Sequence, residues 1–174
     1  MDVALSPLGF HDGGPLMLAG IDPGREKFGW AMVESDGRLL LSGIAPRRDF
    51  NTWLEAVEAG TTGGFVDWVR ERYFFEPHLP SCEKILLGSG TGMKEMAENI
   101  RLKNEPFETV PEAYSTLRAR KLYWILHPPR GPVRLLPLSF RVPPRPVDDL
   151  AAWRLVLDYL GFLTDEISFP EGQN

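Results

Sequence analysis

Three short apolar runs near the start of the chain, separated by turn-forming residues, constrain the fold more than any other feature. Leu16 to Ile21 is apolar or small throughout and stops at Asp22-Pro23-Gly24. Phe28 to Val33 follows, and Ser35-Asp36-Gly37-Arg38 separates it from Leu39 to Ile44. Asp-Pro-Gly ends a strand, and Asp-Gly between apolar runs is a hairpin signal. The spacing predicts a compact three-stranded antiparallel meander.

Farther along, strands and helices alternate. Phe50 to Tyr73 reads as helical with a break near Gly60 to Gly64, because Phe65, Trp68, Val69 and Arg72 have helix-face spacing. Lys84 to Leu87 reads as a strand, Met93 to Leu102 as a helix and Phe107 to Val110 as another strand. A helix then runs from Ser115 or Thr116 to Leu126, with Leu117, Lys121, Trp124 and Ile125 on one face. His127 to Pro146 holds seven prolines and cannot be a regular helix. The last helix starts at Asp148 and buries Leu150, Ala151, Val156, Leu157 and Leu160. Hairpin strands followed by strand-helix alternation give an α/β domain with a mixed five-stranded sheet and flanking helices. We expect a loose N-terminus over 1–15, one domain over 16–163 and a tail over 164–174.

A chain of 174 residues, 43% hydrophobic, supports one core and is too short for two ordinary catalytic domains. No stretch approaches the roughly 20 apolar residues of a membrane helix, so no membrane association is expected. The N-terminal residues lack the basic start and apolar segment of a secretory signal. Cys82 is the sole cysteine, which excludes an internal disulfide framework and makes a cytoplasmic location the expectation. Cys82 itself reads as structural.

A net charge of −5 argues against a protein that coats nucleic acid indiscriminately. The charge is nonetheless unevenly placed. Between Ala113 and Val147 there is no Asp or Glu, while Arg118, Arg120, Lys121, Arg130, Arg134, Arg141 and Arg145 all occur. A locally basic surface on an acidic protein suits a short phosphate-bearing substrate held near carboxylates. Gly88-Ser89-Gly90-Thr91-Gly92 reads either as an anion-binding nest or as a structural turn. It is not a Walker A loop, since Lys94 is followed by Glu95.

Three carboxylates stand at informative places in this order. Asp22 follows the first strand, Glu112 follows the last strand and Asp148 opens the last helix. Ligands of open α/β sheets collect at the carboxyl ends of strands, where Asp22 and Glu112 can meet. Each residue also has a plain structural reading: Asp22 as a turn residue, Glu112 as an exposed first-turn residue, Asp148 as a helix cap.

These segments carry a resemblance. Ala19-Gly20-Ile21-Asp22-Pro23-Gly24 with Gly29-Trp30-Ala31 resembles the opening motif of the Holliday-junction-resolvase-like nucleases, both the RuvC and the YqgF groups. Val110-Pro111-Glu112-Ala113-Tyr114-Ser115-Thr116 resembles the second motif of the YqgF group, with Pro111 and Ala113 in place of the family's Asp and Arg. Val147-Asp148-Asp149-Leu150-Ala151-Ala152, then Tyr159-Leu160, is similar to that family's final helix. The family's Gly-Leu-Pro segment is replaced by Gly88 to Gly92, and the Pro/Arg-rich segment before Asp148 is an unusual insertion.

The resemblance implies a ribonuclease-H-like fold and metal-dependent phosphodiester hydrolysis of structured nucleic acid, Holliday-junction-like DNA or precursor ribosomal RNA. It assigns Asp22, Glu112 and Asp148 as catalytic metal ligands, with Asp149 adjacent. Mg²⁺ is the expected ion, with Mn²⁺ as a substitute, because hard oxygen ligands suit it. Two such ions can activate water and stabilise the leaving oxygen. Asp22 would bridge the ions, with Glu112 on one and Asp148 on the other. Gly24, Lys27, Ser115, Thr116, Arg118, Arg130, Arg134, Arg141 and Arg145 are the expected substrate contacts. Resolvases of symmetric junctions act as homodimers. The alternative is a catalytically silent nucleic-acid-binding or scaffold member of the same fold.

Overall fold

The computed structural model describes residues 16–111, 115–137 and 140–162, with the side chains of Ser115 and Thr116 not included. The expectations for 1–15 and for the tail fall outside these residues, and so does Glu112. The elements are β1 (Leu16–Pro23), β2 (Lys27–Glu34), β3 (Leu39–Pro46), α1 (Phe50–Glu58), β4 (Val69–Arg72), β5 (Ser81–Gly88), α2 (Met93–Leu102), β6 (Phe107–Val110), α3 (Ser115–Leu126) and α4 (Asp148–Tyr159). Short 3-10 turns cover 47–49, 66–68 and 131–135.

The protein is α/β, with one mixed six-stranded sheet of order β4-β3-β2-β1-β5-β6. β1, β2, β3 and β4 are successively antiparallel, whereas β5 runs parallel to β1 and β6 parallel to β5. The meander turn at Gly37 has φ +87°, a conformation open to glycine and costly for most other residues.

Six strands replace the expected five because the expected long helix ends early. α1 stops at Glu58, and Gly60 leaves it with φ +64°. Phe65 and Trp68 keep their three-residue spacing in a 3-10 turn, and Val69 to Arg72 then pairs with β3. Val69, Glu71 and Tyr73 alternate with Arg70 and Arg72, which is strand periodicity. Glu71 hid that signal, since a charged residue at a buried strand position breaks the apolar pattern.

Alternate side chains of β1 divide the core into two layers. Met17, Ala19 and Ile21 pack with Phe28, Trp30 and Met32 against α1 and α2. Phe28, Phe50 and Trp53 form an aromatic group there, with Phe28 and Phe50 edge to face at 5.2 Å. On the other face Leu18, Ala31, Val33, Leu39 and Leu86 pack against α3 and α4. α4 buries every residue from Asp149 to Leu157.

α3 is turned relative to expectation. Ala119, Leu122 and Tyr123 face the core, while Leu117 is 55% exposed. The helix carries apolar residues on most of its sides, so periodicity could not choose a face; the small Ala119 allows the close approach to α4. Tyr159, at the end of α4, is 39% exposed and accepts a hydrogen bond from Lys84 Nζ at 2.8 Å.

Candidate carboxylate cleft

Two glycines let α4 lie against the central strands. A Cβ at Gly20 would meet Val156 Cγ2 at 2.8 Å and press on the Ala152 carbonyl. A Cβ at Gly29 would come within 2.7 Å of the Asp149 nitrogen and nearer still to the Asp148 carbonyl. Gly29 is the register partner of Asp22 across β1 and β2. One missing side chain therefore seats the first turn of α4 beside the end of β1.

Asp22 and Asp148, remote in sequence, consequently line the same open cleft of about 230 Å³. Its other walls are Ala119, Arg120 and Ala151 from the helices and Val142, Pro143, Arg145, Pro146 and Val147 from the connection before α4. Lys27, at the start of β2, donates from Nζ to Asp148 Oδ2 at 2.8 Å. Both side chains of that pair are partly solvated, so the pair contributes little to stability. It shows that Asp148 presents an oxygen to a cation at the cleft. Two carboxylates on an accessible surface form a hard oxygen donor set compatible with Mg²⁺. Among the described residues no group of three His, Cys, Asp or Glu side chains is gathered as for a metal ion. Glu112 lies outside those residues; β6 ends at Val110, in register with Gly88 of β5, the strand beside β1.

Asp149 has different surroundings from its neighbour. It is fully buried and accepts from Ser42 Oγ at 2.8 Å and from both terminal nitrogens of Arg145, at 2.8 and 3.2 Å. Arg145 also donates to Glu71, which is 6% exposed and accepts from Tyr73 Oη at 3.5 Å. His127 Nε2 lies 2.8 Å from the same carboxylate. Burial disfavours the charged Arg145, but hydrogen bonds and charge from Asp149 and Glu71 outweigh it and hold its pKa above the ordinary value. Burial, then the Glu71 charge, pushes the Tyr73 phenol up to about 12. This network fastens the end of the Pro/Arg-rich connection to the sheet, and with it the start of α4.

The other expected substrate contacts are scattered. Gly24 sits in the β1–β2 turn, where a Cβ would crowd the Lys27 carbonyl. Arg118 faces away from the cleft and pairs with Asp158 at 3.4 Å. Arg141 donates to backbone carbonyls within its own loop. Arg130 and Arg134 are exposed on that loop. Arg120, two positions from Arg118 and so on the opposite side of α3, is the arginine of that helix that lines the cleft, beside Arg145 of the connection. Its signal was its place beside the small, buried Ala119. Glu71 and Ser42 are further participants that sequence reasoning missed, being polar residues inside strands that otherwise read as core or as helix.

The glycine loop 88–92 turns β5 into α2. Gly92 has φ +95° and the Arg47 guanidinium packs over it, held by an ion pair to Glu95. Cys82 is pushed up to about 12 by burial and then by the Glu105 charge, which keeps it a thiol. Among the described residues no helix is long and apolar enough to cross a membrane. No protein-family model matches the chain, and no curated protein sequence matches it significantly.

Proposed function

We propose that this chain is a metal-dependent nuclease of ribonuclease-H-like fold acting on structured nucleic acid. The observation that carries the reading is the meeting of Asp22 and Asp148 in one cleft, over a glycine that admits nothing larger. The meander followed by two strands parallel to β1 supports it as well. Asp22 and Asp148 would hold Mg²⁺, with Glu112 as the third ligand supplied from beyond β6. Bound there, the metal supplies an activated water and neutralises charge on the phosphoryl oxygens. Arg120 contributes a fixed positive charge at the wall of the cleft, where a phosphate would approach. Lys27 holds Asp148 in place and is a cation near the same phosphate. Asp149 is not needed as a ligand in this reading, because its oxygens are engaged by Arg145 and Ser42.

One observation favours the silent alternative: the chain itself supplies a cation to Asp148 through Lys27. Cleavage decides between the two. Labelled four-way DNA junctions, duplex and single-stranded DNA, and structured RNA are incubated with Mg²⁺, Mn²⁺ or EDTA, beside the Asp22→Asn protein. Metal-dependent cleavage that disappears in the variant is the expected result. No cleavage of any substrate by folded protein would overturn the nuclease reading in favour of binding alone.

A further inference from the structure

The rim of the cleft has an unusual surface. In the connection between α3 and α4, Leu135 is 87% exposed, Phe140 72% and Val142 67%, with Val133 and Leu136 also open. Exposed Arg130 and Arg134 stand among them, and no carboxylate occurs anywhere between Ala113 and Val147. Five exposed apolar side chains within one connection are a candidate interaction surface.

The loop is also built to keep this shape. The Arg141 guanidinium donates to the Leu136 carbonyl at 2.7 Å and to the Arg134 carbonyl at 2.8 Å. The Arg141 carbonyl accepts from Trp124 Nε1 of α3 at 3.1 Å, which ties the loop to the body of the protein. Val142 belongs both to this exposed set and to the cleft wall. Val142 therefore joins the exposed apolar side chains of this connection to the cleft that Asp22 and Asp148 line.

An occupant of this surface must be anionic, to answer arginines that form no ion pair among the described residues, and must offer flat apolar faces to an exposed ring. An unpaired nucleic-acid strand has both properties. A duplex has the charge but hides its base faces in the stack. We propose that the loop holds a single-stranded segment, with Phe140 stacked on a base, Arg130 and Arg134 on neighbouring phosphates, and Val142 leading the strand toward the carboxylates. The assignment rests on the nuclease reading for its direction toward the cleft, but binding itself needs no metal.

The test is fluorescence anisotropy in EDTA with the whole chain and labelled single strands of about 12 nucleotides, DNA and RNA, beside the matching duplexes. The single strands are expected to bind more tightly than the duplexes. Phe140→Ala should weaken single-strand binding by about 5- to 150-fold, the range for losing one base–aromatic stack. Phe140→Trp should retain it, and duplex binding should not change in either variant. The double variant Arg130→Ala/Arg134→Ala should lower the salt slope for single strands by about 1.4, for two phosphate contacts. Urea midpoints confirm that the variants are folded. Equal affinity for duplex and single strand, or unchanged single-strand affinity in Phe140→Ala, overturns the proposal. So does a dimer that Phe140→Ala dissociates in sedimentation without altering nucleic-acid affinity, since the occupant would then be a second copy. Binding through Phe140 by a protein that cleaves nothing would keep this inference and end the nuclease reading. Cleavage that Phe140→Ala leaves untouched, together with unchanged binding, would do the reverse.

Discussion

Replacing Gly29 with Ala tests the feature on which the cleft depends. The added methyl would stand 2.7 Å from the Asp149 nitrogen, against about 3.4 Å for the lower edge of ordinary contact. The first turn of α4 must therefore retreat by about 0.7 Å at that atom and farther at the Asp148 carbonyl. The obstructing atoms are backbone and cannot rotate aside. Overpacking of this kind costs about 1–3 kcal/mol, and rigid neighbours place this case near the upper end. Removing a strand glycine gives back roughly 0.5–1 kcal/mol. The net expectation is a loss of about 2 kcal/mol, which lowers the urea midpoint by about 1 M at a slope near 2 kcal/mol/M. The displacement also moves Asp148 relative to Asp22, and a shift approaching 1 Å can cost about 100-fold in turnover. Gly60→Ala is the control. Gly60, unlike Gly29, sits at positive φ, and its nearest neighbour would be 3.8 Å away, so it should cost about 1 kcal/mol and leave cleavage intact. A Gly29→Ala protein as stable as the original would refute the close seating of α4 on β2.

Four further outcomes are expected. Arg145→Met strands the buried Glu71 and Asp149 carboxylates and should cost roughly 3–5 kcal/mol in urea unfolding; a loss under about 1 kcal/mol would mean that the network is well solvated. Lys27→Met removes a partly solvated pair, so stability should change by less than about 1 kcal/mol, while calorimetric Mg²⁺ binding tightens several-fold because Asp148 no longer has to release an ammonium. Unchanged or weaker Mg²⁺ binding would count against Asp148 as a ligand. Cys82, with its pKa raised from 9.0 to about 12, should carry on the order of 1000-fold less thiolate at pH 8 than an ordinary thiol and react with disulfide reagents correspondingly slowly until urea is added. The sign for stability follows from the same shift: the fold favours the neutral thiol, so its contribution is complete below pH 9 and lost as pH rises toward 12, and Tyr73 acts likewise from 10 to about 12. A urea midpoint that stays level through that window would contradict both.

The meander, the start of the helix after it, the helix at Met93–Leu102 and the helix opened by Asp148 were legible because their apolar spacing is simple and their turn residues are unambiguous. Asp22 and Asp148 could be singled out for the same reason, one ending a strand and one opening a helix. What could not be read was anything set by tertiary partners. Glu71 looked like the polar face of a helix until Arg145 and His127 gave a strand a reason to bury it. Arg145 looked like a phosphate contact, yet two carboxylates from distant segments claim it. Asp148 and Asp149 are neighbours in sequence, but one helical step turns them about 100° apart. That rotation sends one carboxylate to solvent and the other into the core, and no pattern of residue types records which is which.

The docking of α4 has a consequence for how the protein is made. This helix packs on β1, β2, β3 and β5, and it is the last of the described elements to leave the ribosome. Until it arrives, Leu18, Ala31, Val33 and Leu39 present one side of the central sheet to water. The cleft has no Asp148 at that stage either. Any activity that depends on it is therefore withheld from the nascent chain and begins only when synthesis has passed α4, so biogenesis itself sets the moment at which a hydrolytic site could first come into being.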